Sequence, residues 1–293
     1  MKLPTHNRYD YVPITRRPVY DWPEGKRLAV FLCSNIEHFA YRAGLGVDAS
    51  GTERPQSQVN YAWRDYGNRV GIWSYLDLLD EFGLPGAHNV NSAALEYCPE
   101  IVERLTGRGD EYVGHGRTNA ERQDALWEAD EARLIAEATE VITRLTGKRP
   151  EGWLGPGLAE SRVTPDLLKE AGYRYVMDWP LDDQPVWLKT RTKPLLNIPY
   201  TQECNDVAMM LIQHHKASEY SDRALDQFEQ IYADAATSAR VMALVVHPYI
   251  MGAPHRVKYF RRVLEAVRTK KDVKFWTGSQ IADWYAAAGP KAP

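Results

Sequence analysis

Three short stretches of this chain carry side chains that can move protons or hold an ion, and each comes directly after an apolar run. Asn35-Ile36-Glu37-His38 ends the run that begins at Arg27, and Gly114-His115-Gly116 follows Glu111 to Val113. His247 closes the very apolar Ala-Leu-Val-Val of residues 243–246. A carboxylate beside an imidazole at a strand end can bind a metal or act as a base. Two solvated loop residues would look the same. The glycines around His115 let the backbone turn sharply and bring the ring towards a ligand, although a lone histidine is commonly structural. Asn119, four residues on, can share a helical face with His115. His247 can serve as a general acid that protonates a leaving nitrogen. Two weaker features are the GWLGPG stretch with Trp153 and Gly155, where a ligand could approach the backbone, and DWPLDDQP, which sets Asp178, Asp182 and Asp183 beside Trp179. A tight turn and solvated loop acids are the plainer readings of these two. The sequence has no GxSxG elbow, no HExxH, no P-loop and no GxGxxG after a strand, which argues against serine hydrolases, zincins and nucleotide enzymes.

The elements around these residues alternate. RLAVFLCSN has no polar alternation and suits a strand buried on both faces. In residues 66–82, Val70, Trp73, Leu76 and Leu79 stand near helical spacing, with Gly83 as the stop. GAHNVNSAAL predicts a strand leading into a helix, and EYCPEIVERLTGRG supplies that helix. Glu111 to Val113 predicts a third strand, 121–145 a helix-rich stretch, and GWLGPG a strand running into a loop. TPDLLKEAGY predicts a helix with Thr164 as N-cap, Pro165 at N1 and Gly172 as C-cap. RYVMDW, PLLNIPY and VMALVVHPY predict further strands, and a last helix is expected near Gln280 to Ala288. No repeat, linker or composition shift interrupts this order. It predicts one parallel-strand α/β domain over 1–293, most simply a barrel, with an extended arm over about 1–25. In such barrels the site lies at the carboxyl ends of the strands, where Asn35, Glu37, His115, Asp178 and His247 all fall.

The chain has 293 residues, 44% of them hydrophobic, enough for a large single core. Its net charge of −3 comes from 36 basic and 39 acidic residues, without a basic stripe, so nucleic acid is not an expected partner. No apolar run approaches a membrane span, and the N-terminal stretch lacks the apolar core of a signal peptide. Cys33, Cys98 and Cys204 are far apart and fit reduced thiols in a cytoplasm, buried rather than nucleophilic. Nine Trp and seventeen Tyr divide between core and a pocket that could hold planar or sugar-like ligands.

The order of motifs WPEGKRLAV, SNIEHF, YGNRVGIW, GHGRTN, TGKRPEGWLGPG, PYTQECND and HPYIMGAPHR resembles the polysaccharide deacetylase superfamily, nearest its metal-independent branch of allantoinase-like and cyclic imide hydrolases. The resemblance covers nearly the whole chain and implies a distorted barrel of roughly seven strands. It implies hydrolysis of amide-type C–N bonds in N-acetyl sugars, allantoin or cyclic imides. A typical deacetylase has an aspartate pair in its first motif, where this chain has Asn35-Ile36-Glu37-His38. The second metal histidine is matched by Asn119, a much poorer zinc ligand. The arginine that orients the base is matched by Leu154.

On this resemblance the chain is expected to be a C–N hydrolase acting on a small amide, cyclic amide, imide or ureide. Glu37 would activate a water, or hold a weakly bound metal with His115, and His247 would protonate the leaving nitrogen. Backbone N–H groups at Gly155 to Gly157 would stabilise the oxyanion. Tyr66, Arg69, Trp153, Gly155, Asp178, Asp183, Asn205 and Asp206 are the expected substrate contacts. One alternative is a metal-dependent N-deacetylase of a sugar with Glu37, His115 and Asn119 as ligands, zinc being the expected ion. The other is a non-catalytic barrel that binds a metabolite or carbohydrate. The expected partner is a small molecule, in a homo-oligomer.

Overall fold

In the computed structural model, which describes residues 6–41 and 57–291, the apolar run at the first motif is the central strand. The strands are β1 (Leu28–Ile36), β2 (Ala87–Val90), β3 (Glu111–Gly114), β4 (Gly152–Trp153), β5 (Tyr175–Val176), β6 (Val186–Leu188), β7 (Leu195–Asn197), β8 (Arg240–Val246) and β9 (Val273–Phe275). They form one sheet in the order β6-β7-β5-β4-β3-β2-β1-β8, with β9 beside the first half of β1. Every pairing is parallel except β6 with β7. The sheet curls into a distorted barrel. Its two edges meet through a single bridge, Asn205 to Val245, and through Val241 N–H donating to Asp183 O at 2.8 Å.

The expected α/β barrel is therefore present, with nine strands among the described residues rather than about seven. The two extra strands, β6 and β9, are three residues each and too short to leave a periodic signal. Along β1, Leu28, Val30 and Leu32 pack outward under the helices, while Ala29, Phe31 and Cys33 fill the barrel. Burial of both faces is why the run shows no polar alternation. The other strands obey the same two-residue period. It sends Val113, Leu154, Tyr175, Met177, Leu196 and Ile198 into the barrel, and from β8 Val241, Ala243 and Val245.

The N-terminal stretch is tied down as well as extended. Arg8 pairs with Asp166 at 2.7 Å, and Trp22 is fully buried, donating its indole N–H to Arg240 O at 2.8 Å. The part of the expected arm at residues 1–5 lies outside the described residues. In the helix Thr164–Glu170 the N-cap falls on Val163, because the Thr164 hydroxyl turns to the buried Glu131 carboxylate. Cys33 and Cys204 are buried and Cys98 half-buried. Burial pushes the Cys204 thiol up to about 12 and Cys98 to about 11, and neither burial nor these shifts suits a nucleophile. Among the described residues no helix is long and apolar enough to cross a membrane.

The YGNRVGIW stretch departs from a plain helix. The α-helices Gln58–Tyr66 and Ile72–Phe82 are joined by a π-helical turn, Gly67–Gly71. The extra residue per turn rotates the helical face, so Val70, expected inward, is exposed. The turn is a seat for the segment after β8. A Cβ on Gly71 would stand 2.0 Å from Pro248 O, and one on Gly67 2.6 Å from Tyr249 N. Gly71→Ala must therefore move the backbone next to His247. The expected result is a lower urea midpoint, by about 1–3 kcal/mol in stability, together with lost activity. An unchanged midpoint would show that the contact is slack.

Candidate active site

Glu37, His115 and His247 each continue the inward parity of their strands, two residues beyond Asn35, Val113 and Val245. They meet in the barrel mouth. Glu37 Oε1 lies 3.6 Å from His115 Nε2 and 3.5 Å from His247 Nε2. The three side chains are buried at the floor of a cavity of about 300 Å³, whose walls include Phe39, Arg64, Arg122, Leu158, Tyr200 and Tyr249.

Each member is held from behind. Asn68 Nδ2 donates to the Glu37 backbone carbonyl at 2.9 Å, so the π-helical turn anchors the main chain at Glu37 as well as the His247 loop. His115 Nδ1 lies 2.5 Å from Leu154 O, and a carbonyl only accepts, so the ring proton sits on Nδ1 and the Nε2 lone pair faces the cavity. His247 Nδ1 lies 2.6 Å from Asp206 Oδ1, and its backbone N–H donates to Asp206 Oδ2 at 2.7 Å. Asn91 links the first two motifs: its side chain accepts from His38 N–H at 2.9 Å and donates to His115 O.

The charges divide accordingly. Burial alone would lower the pKa of His247, but the Asp206 and Glu37 carboxylates outweigh it and raise it to about 10. Burial alone would raise Glu37, but the His247 charge holds it down at about 2. At neutral pH the site is thus an Asp206 carboxylate, a His247 imidazolium and a Glu37 carboxylate in line, with His115 alongside. Three buried polar atoms here have no hydrogen-bond partner: Glu37 Oε2, His115 Nε2 and Asn119 Oδ1. All belong to residues that line the cavity.

These atoms are also the test of a metal. Glu37, His115 and Asn119 are compatible with a weakly held divalent cation. His115 has the arrangement of a ligand, with its other nitrogen on a carbonyl. They fall short of a zinc set, because the third donor is an amide and the imidazolium of His247 has no lone pair to give. Among the described residues no group of three or more His, Cys, Asp and Glu side chains is spaced to hold an ion.

Of the expected substrate contacts, Gly155 and Asn205 line the cavity, as does Asn35. Trp153 does not: Leu154 points inward, so Trp153 points outward into the core and donates its indole N–H to Gln123 at 2.9 Å. Asp178 is likewise one residue out of phase with Met177. It sits behind the loop, where its two carboxylate oxygens accept from Gly155 N–H at 2.8 and 3.0 Å. That bond removes Gly155 N–H from the expected oxyanion hole. Glu160 lies beside Asp178, and burial pushes both carboxyls up. Asp206 is wholly buried behind His247 and does not line the cavity. Asp183 lines a separate groove with the N-terminal stretch and Arg17. Tyr66 and Arg69 also lie outside the cavity, and Arg69, within the π-helical turn, is mostly exposed. Their places are taken by Arg64 and Arg122, which no motif in the sequence marks. His38 packs towards the Tyr97 and Tyr61 rings instead of joining Glu37.

Ser34, His88 and Asp110 form a second histidine–carboxylate array, with His88 2.7 Å from Ser34 Oγ and 3.0 Å from Asp110 Oδ2. His88 and Ser34 are fully buried on the outward face of the sheet, so this array cannot meet a substrate.

Residues 54–176 match the polysaccharide deacetylase family model, a span that holds His115 and Asn119 but neither Glu37 nor His247. The chain is similar to the peptidoglycan deacetylase of Helicobacter pylori, at 24% identity over 77% of this chain and 87% of that protein. Among solved structures it is similar to a PuuE allantoinase, at 25% identity and TM-score 0.84 over 97% of this chain and 100% of that one. A probable polysaccharide deacetylase from Pseudomonas aeruginosa has the same fold, with TM-score 0.85 and 24% identity over 94% and 96% of the two chains.

Proposed function

We propose that this chain, which carries a polysaccharide deacetylase domain, hydrolyses a non-peptide carbon–nitrogen bond in a small amide, cyclic amide, imide or ureide. The observation that carries the reading is Glu37 set between two imidazoles, at 3.5 and 3.6 Å, on the floor of a cavity of about 300 Å³. That volume suits one ring with a substituent rather than a polymer chain. The likeness to a PuuE allantoinase supports the same class.

The residues divide the work. A water held against the lone pairs of Glu37 Oε2 and His115 Nε2 gives up a proton to that pair as its oxygen attacks the substrate carbonyl carbon. The C–N bond breaks as His247 Nε2 donates its proton to the departing nitrogen. The proton taken by the Glu37–His115 pair then returns to His247 across the 3.5 Å contact between Glu37 and His247, and the site is reset. Asp206 keeps His247 charged and its ring oriented throughout. A cation held by Glu37, His115 and Asn119 would polarise the water or the carbonyl, and no step above depends on it.

The test is turnover of allantoin, hydantoins and cyclic imides by purified protein, with elemental analysis of the same sample and an assay after chelation. At least one compound is expected to be hydrolysed without a stoichiometric metal. An inert panel beside an active N-acetylated sugar, with a bound metal, would instead establish the N-deacetylase reading.

A further inference from the structure

We propose that the substrate carries a carboxylate beside its scissile amide, and that Arg122, with Arg64, recognises it at the cavity mouth. The proposal rests on the reading that the hydrolysed molecule occupies this cavity. Among the described residues lining it, Glu37 is the one carboxylate, and it is already faced by His247 at 3.5 Å. Two guanidinium groups line the same space. Arg64 is buried, held by Asn60 Oδ1 at 2.7 Å and stacked over the Phe39 ring at 3.6 Å. Arg122 is exposed at the mouth. Among the described residues it has no hydrogen-bond or ion-pair partner.

The backbone beside Arg122 is nevertheless anchored. The next residue, Gln123, is fully buried, accepting from Trp153 Nε1 at 2.9 Å and donating to Glu131 at 2.9 Å. Gly157, at φ +68°, leaves room for the guanidinium: a Cβ there would stand 3.2 Å from Arg122 Nη2. An anchored backbone, a guanidinium laid against a bare glycine and no internal partner together leave a planar fork of donors facing the cavity. A carboxylate matches that fork with two parallel hydrogen bonds. A phosphate would call for a cradle of backbone amides, and Gly155 N–H is already committed to Asp178.

The experiment compares hydantoin with hydantoin-5-acetate, the same ring with and without a carboxylate. The ratio of kcat/KM, carboxylated over neutral, is expected to exceed roughly tenfold in the wild type, to fall by about that factor in Arg122→Gln and to recover in part in Arg122→Lys. A wild-type ratio near unity, or one unchanged by Arg122→Gln, overturns the proposal. If neither compound is turned over, the hydrolase reading fails for this ring class, and binding of the same two compounds measured by calorimetry decides the carboxylate question separately. Affinity that needs the carboxylate and is lost in Arg122→Gln sustains it. Absence of any carboxylate-dependent affinity overturns it.

Discussion

Glu37→Gln is expected to lower kcat/KM by about 10²–10⁴-fold while the protein stays folded. The amide keeps the size of the side chain but cannot take a proton from water, and it removes the charge that faces both imidazoles at 3.5 and 3.6 Å. The pH dependence of stability should change with it. In the wild type Glu37 is depressed from 4.5 to about 2, so its stabilisation is present above 4.5 and is lost as pH falls towards 2. His247 is raised from 6.5 to about 10, so its share is fully present below 6.5 and is lost as pH rises towards 10. The pair therefore stabilises most between pH 4.5 and 6.5. Glu37→Gln should remove the acid flank and make the alkaline one shallower, read from urea midpoints between pH 2 and pH 10. Retained activity would move the base to His115 alone; unchanged flanks would mean that the ion pair is absent in solution.

How far the sequence discloses this site depends on which feature is asked for. The strand ends are legible because each functional side chain closes an apolar run, and Glu37, His115 and His247 are found together where those runs end. Strand parity holds further information. Counting by twos from the inward residues separates Leu154 from Trp153 and Met177 from Asp178, and so tells a cavity wall from the core behind it. It needs one buried anchor per strand, which composition does not name. The rotation at Gly67–Gly71 is not legible. Arg69 looks like a pocket residue on an unbroken helix, and only the packing of Gly71 on Pro248 shows why the helix adds a residue there. Arg122 gives no local signal either, since its place follows from the burial of Gln123 against Trp153, thirty residues away.

Asp206→Asn should move the alkaline limb of activity to lower pH. On the proposed mechanism His247 acts as an acid only while protonated, and with its value at about 10 the wild-type limb is expected there. Burial works against that charge, and of the two carboxylates that overcome it Asp206 is the stronger, being 2.6 Å from Nδ1 where Glu37 is 3.5 Å from Nε2. An asparagine oxygen can still accept the Nδ1 proton, while its NH2 replaces the oxygen that accepts the His247 backbone N–H, so the ring keeps one bond and loses the charge. Loss of a neighbouring carboxylate should bring the limb down by about 1–3 pH units. At neutral pH kcat should fall more than KM rises, because Asp206 lies outside the cavity and touches no substrate. Rate profiles from neutral pH upward distinguish the roles. A limb that stays near 10 while kcat falls would make Asp206 a structural support. A limb that moves with kcat makes it the residue that sets the acid, and Glu37, left facing a neutral ring above the new limb, would lose the charge that now holds its carboxyl at about 2.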